Sequence, residues 1–272
     1  MFISDKIIFV ELHKTASSHI RRILLELFEG ESVGKHNQLT TELIDQRKTI
    51  LGSVRNPYDW YVSLWGYGCD QMGGVFKAVT HRDRGNFRRR GWKSNPRGAA
   101  LMFIEDIRGG SRRKEWEGTY KDASDPGGFR MWLKLISDPK YMADVGEGYF
   151  EWPGCGFVGL MTFRYLKLFC STVDTNDKFA SLRTDRQIKE FEEHNLLVDH
   201  FIRQESIEID LVDIITKLKL KDPQGIEEKL YSMSRRNTSS RGRDLAYYYD
   251  QECLEIVESR ERLVLDKFDY RF

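Results

Sequence analysis

Apolar residues fall along this chain in two distinct rhythms. Ile7-Ile8-Phe9-Val10 is an unbroken apolar run, which predicts a strand buried on both faces over residues 6–12. A polar stretch, Glu11 to His19, interrupts it. Ile20, Ile23, Leu24, Leu27 and Phe28 then recur at helical spacing. The same sequence of strand, polar turn and helix returns at Thr49-Ile50-Leu51-Gly52-Ser53-Val54, followed by Arg55-Asn56-Pro57-Tyr58. Asn56 suits a helix N-cap and Pro57 the first helical position. A third strand is expected over 199–205. One long helix is expected through Tyr249, Cys253, Ile256, Val257 and Leu263. Strands alternating with helices predict an α/β fold with a central, mostly parallel sheet flanked by helices.

With 272 residues, 40% of them apolar, the chain can bury one sizeable core. The absence of a linker, a repeat or a low-complexity tract favours one domain over 1–272, with a poorly legible insertion around 66–196. A net charge of +1 excludes strong global attraction to nucleic acid or acidic membranes. Apolar runs stay well short of the roughly 18 residues a membrane span requires. The first strand begins so early that no room is left for a signal peptide. Cys69, Cys155, Cys170 and Cys253 are far apart and form no metal-binding pattern. These features predict a cytoplasmic protein with reduced thiols, no membrane span and no bound metal.

The two turns carry the candidate chemistry. A strand that ends in a polar loop at a helix N-terminus aims backbone N–H groups and the positive end of the helix dipole at one spot. In the first turn Lys14 adds a charge, and Thr15, Ser17 and Ser18 add hydroxyl donors. The site suits a phosphate or a sulfate, yet it is not a Walker A loop, because no glycine occurs between Met1 and Phe28. In the second turn Arg55 closes the strand, and arginine is suited to a two-pronged grip on phosphate. Ser63 follows eight positions later.

Together these turns resemble the sulfotransferases that use 3′-phosphoadenosine 5′-phosphosulfate (PAPS), in their bacterial and carbohydrate-type branch. Lys14-Thr15-Ala16-Ser17-Ser18 matches that family's 5′-phosphosulfate loop, with Ala16 standing where the family has glycine. Arg55 and Ser63 match the pair that holds the 3′-phosphate. The basic loop Arg236-Asn237-Thr238-Ser239-Ser240-Arg241-Gly242 stands where the family closes a loop over that phosphate, making Ser239, Ser240 and Arg241 candidates. The resemblance implies a P-loop-like fold and transfer of a sulfuryl group to an acceptor hydroxyl, with carbohydrate as the default acceptor. It is weakest over residues 66–196.

Such a transfer needs a cation beside the leaving oxygen, the role of Lys14, and a base for the acceptor hydroxyl. Histidine suits the base, because its ordinary pKa is near neutrality. His36, in Gly34-Lys35-His36-Asn37, is preferred, as that order resembles a Lys-His segment of bacterial and heparan-type relatives. His13, His19, Glu11 and Glu42 are the other candidates. His13 could instead shape the anion loop.

The middle of the chain is expected to set acceptor choice. Between residues 82 and 97 seven basic side chains (Arg82, Arg84, Arg88, Arg89, Arg90, Lys93, Arg97) stand against one acid, Asp83, with Phe87 and Trp92 among them. They suit an anionic acceptor, a polyanion or a solvated loop. Tyr149, Phe150, Trp152 and Phe157 could line a sugar site or simply pack. Arg203 and Glu205 are expected to form a buried ion pair. Two alternatives to the sulfotransferase reading remain from the residues alone. One is a nucleotide-dependent kinase with a variant phosphate loop, and the other is a non-enzymatic binding module for polyanions or nucleic acid.

Overall fold

In a computed structural model of the protein, the described residues are 1–81, 112–172, 176–220, 225–232 and 243–272. The chain divides into two compact units. One comprises Met1–Trp60, Trp152–Thr238 and Val257–Phe272, and the other Tyr61–Glu151 and Ser239–Ile256.

The first unit holds a five-stranded sheet of β1 (Phe2–Ser4), β2 (Ile7–Val10), β3 (Gly30–Ser32), β4 (Thr49–Val54) and β5 (His200–Arg203), ordered β3-β1-β2-β4-β5. The fold is α/β, as expected. The sheet is more mixed than the pattern predicted: β2, β4 and β5 are parallel, but β1 runs antiparallel to both β2 and β3. A three-residue strand and an all-exposed edge strand leave too little periodicity to read from sequence.

The unbroken apolar run of β2 reflects burial on both faces. On one face Ile7 and Phe9 join a core with Ile20, Ile23, Leu24 and Leu27 of α1 (Ser17–Leu27), and with Ile207, Leu211 and Ile214 of the helix Ile207–Lys217. On the other, Gly52 of β4 admits Phe169, Val198 and Phe201, since a Cβ there would sit only 3.0–3.2 Å from their side chains. Phe169 ends α2, the helix Leu160–Phe169. After β2 the chain crosses to β3, beyond β1, and then returns to β4 on the opposite flank. That reversal makes the carboxyl ends of β2 and β4 a topological switch point, the place where open α/β sheets bind ligands.

The expected C-terminal helix is two helices, Gln251–Arg260 and Arg262–Phe268. The break falls at Glu261, which is fully buried and serves a distant helix instead. Its carboxylate accepts the amides of Met161 and Thr162 at 3.2 and 2.8 Å and the Thr162 hydroxyl at 2.6 Å, capping α2. The expected Arg203–Glu205 pair is likewise replaced. Arg203 is exposed, while Glu205 accepts the Asn56 amide at 2.7 Å and the Tyr270 hydroxyl at 3.1 Å.

The second unit is built on aromatic rings. Trp65 and Phe129 meet edge-on at 5.6 Å, and Phe129 and Tyr249 at 5.0 Å. The buried indoles find acceptors, Trp65 on the Thr119 carbonyl and Trp132 on the Tyr120 hydroxyl. Asp125 and Asp138 cap helices that begin with Pro126 and Pro139. Tyr149 is buried in this unit and Phe150 exposed, whereas Trp152 packs in the first unit against Phe163 and Phe179. Tyr149 and Trp152 are therefore core residues. Among the described residues, no helix is long and apolar enough to cross a membrane.

Candidate functional site

The turn out of β2 is tight, strained and buried. Lys14 and Ala16 both adopt left-handed backbone (φ 61° and 56°), a region that costs a side chain about 1–2 kcal/mol. Surrounding hydrogen bonds impose this shape. The Thr15 and Ser17 hydroxyls lie 2.8 and 3.3 Å from the Leu12 carbonyl, which can only accept, so both donate to it. With its proton so placed, Thr15 Oγ1 accepts from the Ser53 hydroxyl of β4 at 2.6 Å. Trp60 Nε1 donates to the His13 carbonyl at 2.5 Å and Arg55 Nη1 to the Lys14 carbonyl at 3.0 Å.

Arg55 thus ties the two turns together. It is buried at the end of β4, where Nε also donates to Asp59 Oδ2 at 2.6 Å and Nη2 reaches the same oxygen. Helix α1 starts immediately after the strained turn. The amides of Ser17 and Ser18 have no intrahelical acceptor, Ala16 offers no side chain to cap them, and the first turn contains no acid. Its positive end is therefore not answered by a capping side chain or an acid of its own, which suits an anion. Ser18 is exposed there and Lys14 half-buried.

His36 reaches this turn from the loop after β3. Gly34 at φ 60° and His36 at φ 55° give that loop its shape, and a Cβ on Gly34 would lie 2.5 Å from Asn37 Nδ2. His36 Nδ1 lies 2.9 Å from the Glu11 carbonyl. A carbonyl cannot donate, so Nδ1 carries the proton and Nε2 presents the lone pair. The His36 ring stacks on His13, with centroids 3.6 Å apart and planes 15° from parallel. Burial, above all, lowers the pKa of both rings from the ordinary 6.5, the Arg164 charge adding to it. For His13 the neighbouring His36 and Lys167 reinforce the effect. For His36 the Glu11 carbonyl and carboxylate oppose it.

The remaining base candidates have other partners or positions. Glu11 is buried and receives Arg21 Nη1 at 2.6 Å. His19 is buried in α1 with its Nδ1 3.2 Å from Arg22 Nη2. Glu42 is exposed on the short helix Thr41–Asp45.

Lys14, Thr15, Ala16, Ser17, Ser18, Arg55 and His36 therefore gather at the carboxyl ends of β2 and β4, beside the start of α1. Ser63, on the helix Pro57–Cys69, is buried in the second unit. Ser239, Ser240 and Arg241, and the basic stretch 82–97, lie outside the described residues. Sequence reasoning missed Arg164, a buried cation on α2 whose guanidinium lies 5.6 Å from the Trp60 ring centroid. The available signal was one arginine inside the run Leu160-Met161-Thr162-Phe163-Arg164-Tyr165-Leu166, where a cation stays buried only for a specific partner. Among the described residues, no cluster of three or more His, Cys, Asp or Glu is placed to hold a metal ion. Comparisons with family models, curated proteins and solved structures find no match to this chain.

Proposed function

We propose that this protein is a PAPS-dependent sulfotransferase acting on an acceptor hydroxyl. The observation that carries the reading is the convergence of the two turns: Arg55, at the end of β4, donates to the carbonyl of Lys14, in the turn at the uncapped start of α1. A scaffold alone has little need of two left-handed non-glycine residues at a helix start without a side-chain cap. The residues present fit an anionic nucleotide, with the α1 amides, Lys14 and Ser18 at its phosphosulfate end and Arg55 beside them. Arg55 is already engaged by Asp59 and the Lys14 carbonyl, so its first contribution is to hold the turn in shape.

When bound, PAPS supplies the sulfuryl group, and 3′-phosphoadenosine 5′-phosphate is the leaving group. Lys14 and the α1 amides stabilise the negative charge that develops on that leaving group. His36 takes the proton of the acceptor hydroxyl at Nε2 while Nδ1–H remains on the Glu11 carbonyl, which fixes the ring. Because burial lowers its pKa, His36 is unprotonated, and so ready to accept, at neutral pH.

The test is calorimetric titration with 3′-phosphoadenosine 5′-phosphate beside ADP, on the wild type and on Lys14→Ala. Binding that depends on the 3′-phosphate and is lost in the variant is expected. Equal binding of the two nucleotides would overturn the reading and return the question to the kinase and the polyanion-binding module.

A further inference from the structure

We infer that His13 is a positioning residue for His36: its ring, packed flat on the His36 ring, covers one face and fixes the plane of an imidazole whose tautomer the Glu11 carbonyl sets. This inference rests on the proposed function for its purpose, and on geometry alone for its content.

Three contacts define the pair. Trp60 holds the His13 backbone through the carbonyl at 2.5 Å. The Glu11 carbonyl holds His36 Nδ1 at 2.9 Å. Between these anchors the rings overlap at 3.6 Å and 15°, closer than a tilted or edge-on pair permits. His13 Nδ1 is buried and has no hydrogen-bond partner among the described residues.

A histidine in this position does two things. Its flat face covers one side of His36 and excludes water from it, and being neutral it offers no charge to hold a proton there. The charges facing the stack work in the same direction. Arg164 and Lys167 approach from α2, and the Met1 amino group lies near the same end of β2. Glu11 alone opposes them, and it is already paired with Arg21 and the Met1 amino group. Burial and these cations keep both rings neutral, leaving His36 one arrangement: Nδ1–H on the carbonyl and Nε2 open. His13 does not need to touch the substrate to act in this way.

The test is long-range proton–nitrogen NMR of the imidazoles in the full-length protein, with His36→Gln for assignment. No ligand is needed. In the wild type His36 is expected as a single tautomer with Nδ1 protonated, binding a proton more weakly than an ordinary histidine. His13→Phe, which keeps a flat apolar cover, is expected to preserve tautomer and titration. His13→Ala is expected to move the midpoint toward the ordinary value and to loosen the plane of the His36 ring. His13→Gln removes the flat ring by a milder route and serves if the alanine variant does not fold. An ordinary His36 midpoint in the wild type, or an unchanged His36 in both His13→Ala and His13→Gln, overturns the inference. If the stack behaves as expected but 3′-phosphoadenosine 5′-phosphate binds no better than ADP, the sulfuryl-transfer reading fails and the pair stands. The reverse pattern removes His13 and leaves the reading intact.

Discussion

Strands β2 and β4 lie side by side, run in the same direction and each end in a turn that enters a helix, yet the turns obey different rules. After β4, Asn56 Oδ1 accepts the Tyr58 amide at 3.1 Å, Pro57 opens the helix, and Glu205 takes the Asn56 amide. The backbone there is relaxed and its helix start is closed by side chains. After β2, Lys14 and Ala16 are left-handed, no side chain caps α1, and buried hydroxyls and Arg55 hold the strain in place. The first arrangement serves the fold. The second holds strain beside a helix start that a bound anion could complete, and strain of this kind persists only where surrounding structure enforces it.

Cutting the tie between the turns should have the largest effect. Arg55→Ala removes the donor to the Lys14 carbonyl and leaves the partly buried Asp59 carboxylate without its cation. Affinity for 3′-phosphoadenosine 5′-phosphate is expected to fall about 100-fold, or about 2.7 kcal/mol, and stability by about 2 kcal/mol. Arg55→Lys should recover only part of the affinity, because an ammonium cannot hold Asp59 and the carbonyl with one planar fork. A variant that melts earlier but binds equally well would make Arg55 a scaffold residue only.

Acid should act on the strained turn before it acts on the relaxed one. The folded pKa values of His13 and His36 are lowered from 6.5, so below that pH the unfolded chain binds more protons than the folded one. Stability is therefore retained above pH 6.5 and declines as the pH falls toward the folded values, by up to about 1.4 kcal/mol per pH unit for each ring. Urea unfolding across that range measures the slope, and His13→Phe should remove one ring's share of it.

Thr15→Val, which keeps the shape and deletes the hydroxyl, is expected to cost about 1–2 kcal/mol, because the Leu12 carbonyl and Ser53 each lose a partner. In a double-mutant cycle with Ser53→Ala the two sites should couple by about 1 kcal/mol, as expected for neighbours sharing one bond. Additive losses would mean that the strands hold the turn without this link.

The two turns were readable from sequence because strands buried on both faces write continuous apolar runs, and the polar residues after them sit at fixed spacing. Lys14 and Arg55 could be picked out for that reason, whereas His36 was preferred only on the resemblance of its Lys35-His36 order. What escaped depends on residues distant in sequence. The His13–His36 overlap needs the loop after β3 to fold back on β2, and Arg164 comes to His13 from an element 151 positions away (164 − 13). Glu261 broke a helical pattern by capping α2, 99 positions upstream at Thr162. Arg203 and Glu205 share a strand face by spacing, but Asn56 and Tyr270 competed successfully for the carboxylate.

The smallest effect gives the sharpest contrast, because glycine should change stability with opposite sign in the two turns. At Ala16 the left-handed backbone disfavours any side chain by about 1–2 kcal/mol, whereas the extra freedom glycine gives the unfolded chain costs about 0.4–1 kcal/mol. Loss of a methyl that packs on the core takes back part of the difference. Ala16→Gly should therefore stabilise the protein by about 0.5 kcal/mol, and should tighten 3′-phosphoadenosine 5′-phosphate a few-fold by letting the backbone approach more closely. At Asn56 no such strain is relieved. Asn56→Gly loses the cap on Tyr58 and the hydrogen bond from Nδ2 to the Arg271 carbonyl and frees the unfolded chain, and should destabilise by about 1 kcal/mol. Thermal unfolding of the two variants under one set of conditions reads both signs. Shifts in the same direction would mean that the two turns obey the same rules, and that the left-handed backbone of the first is not strained.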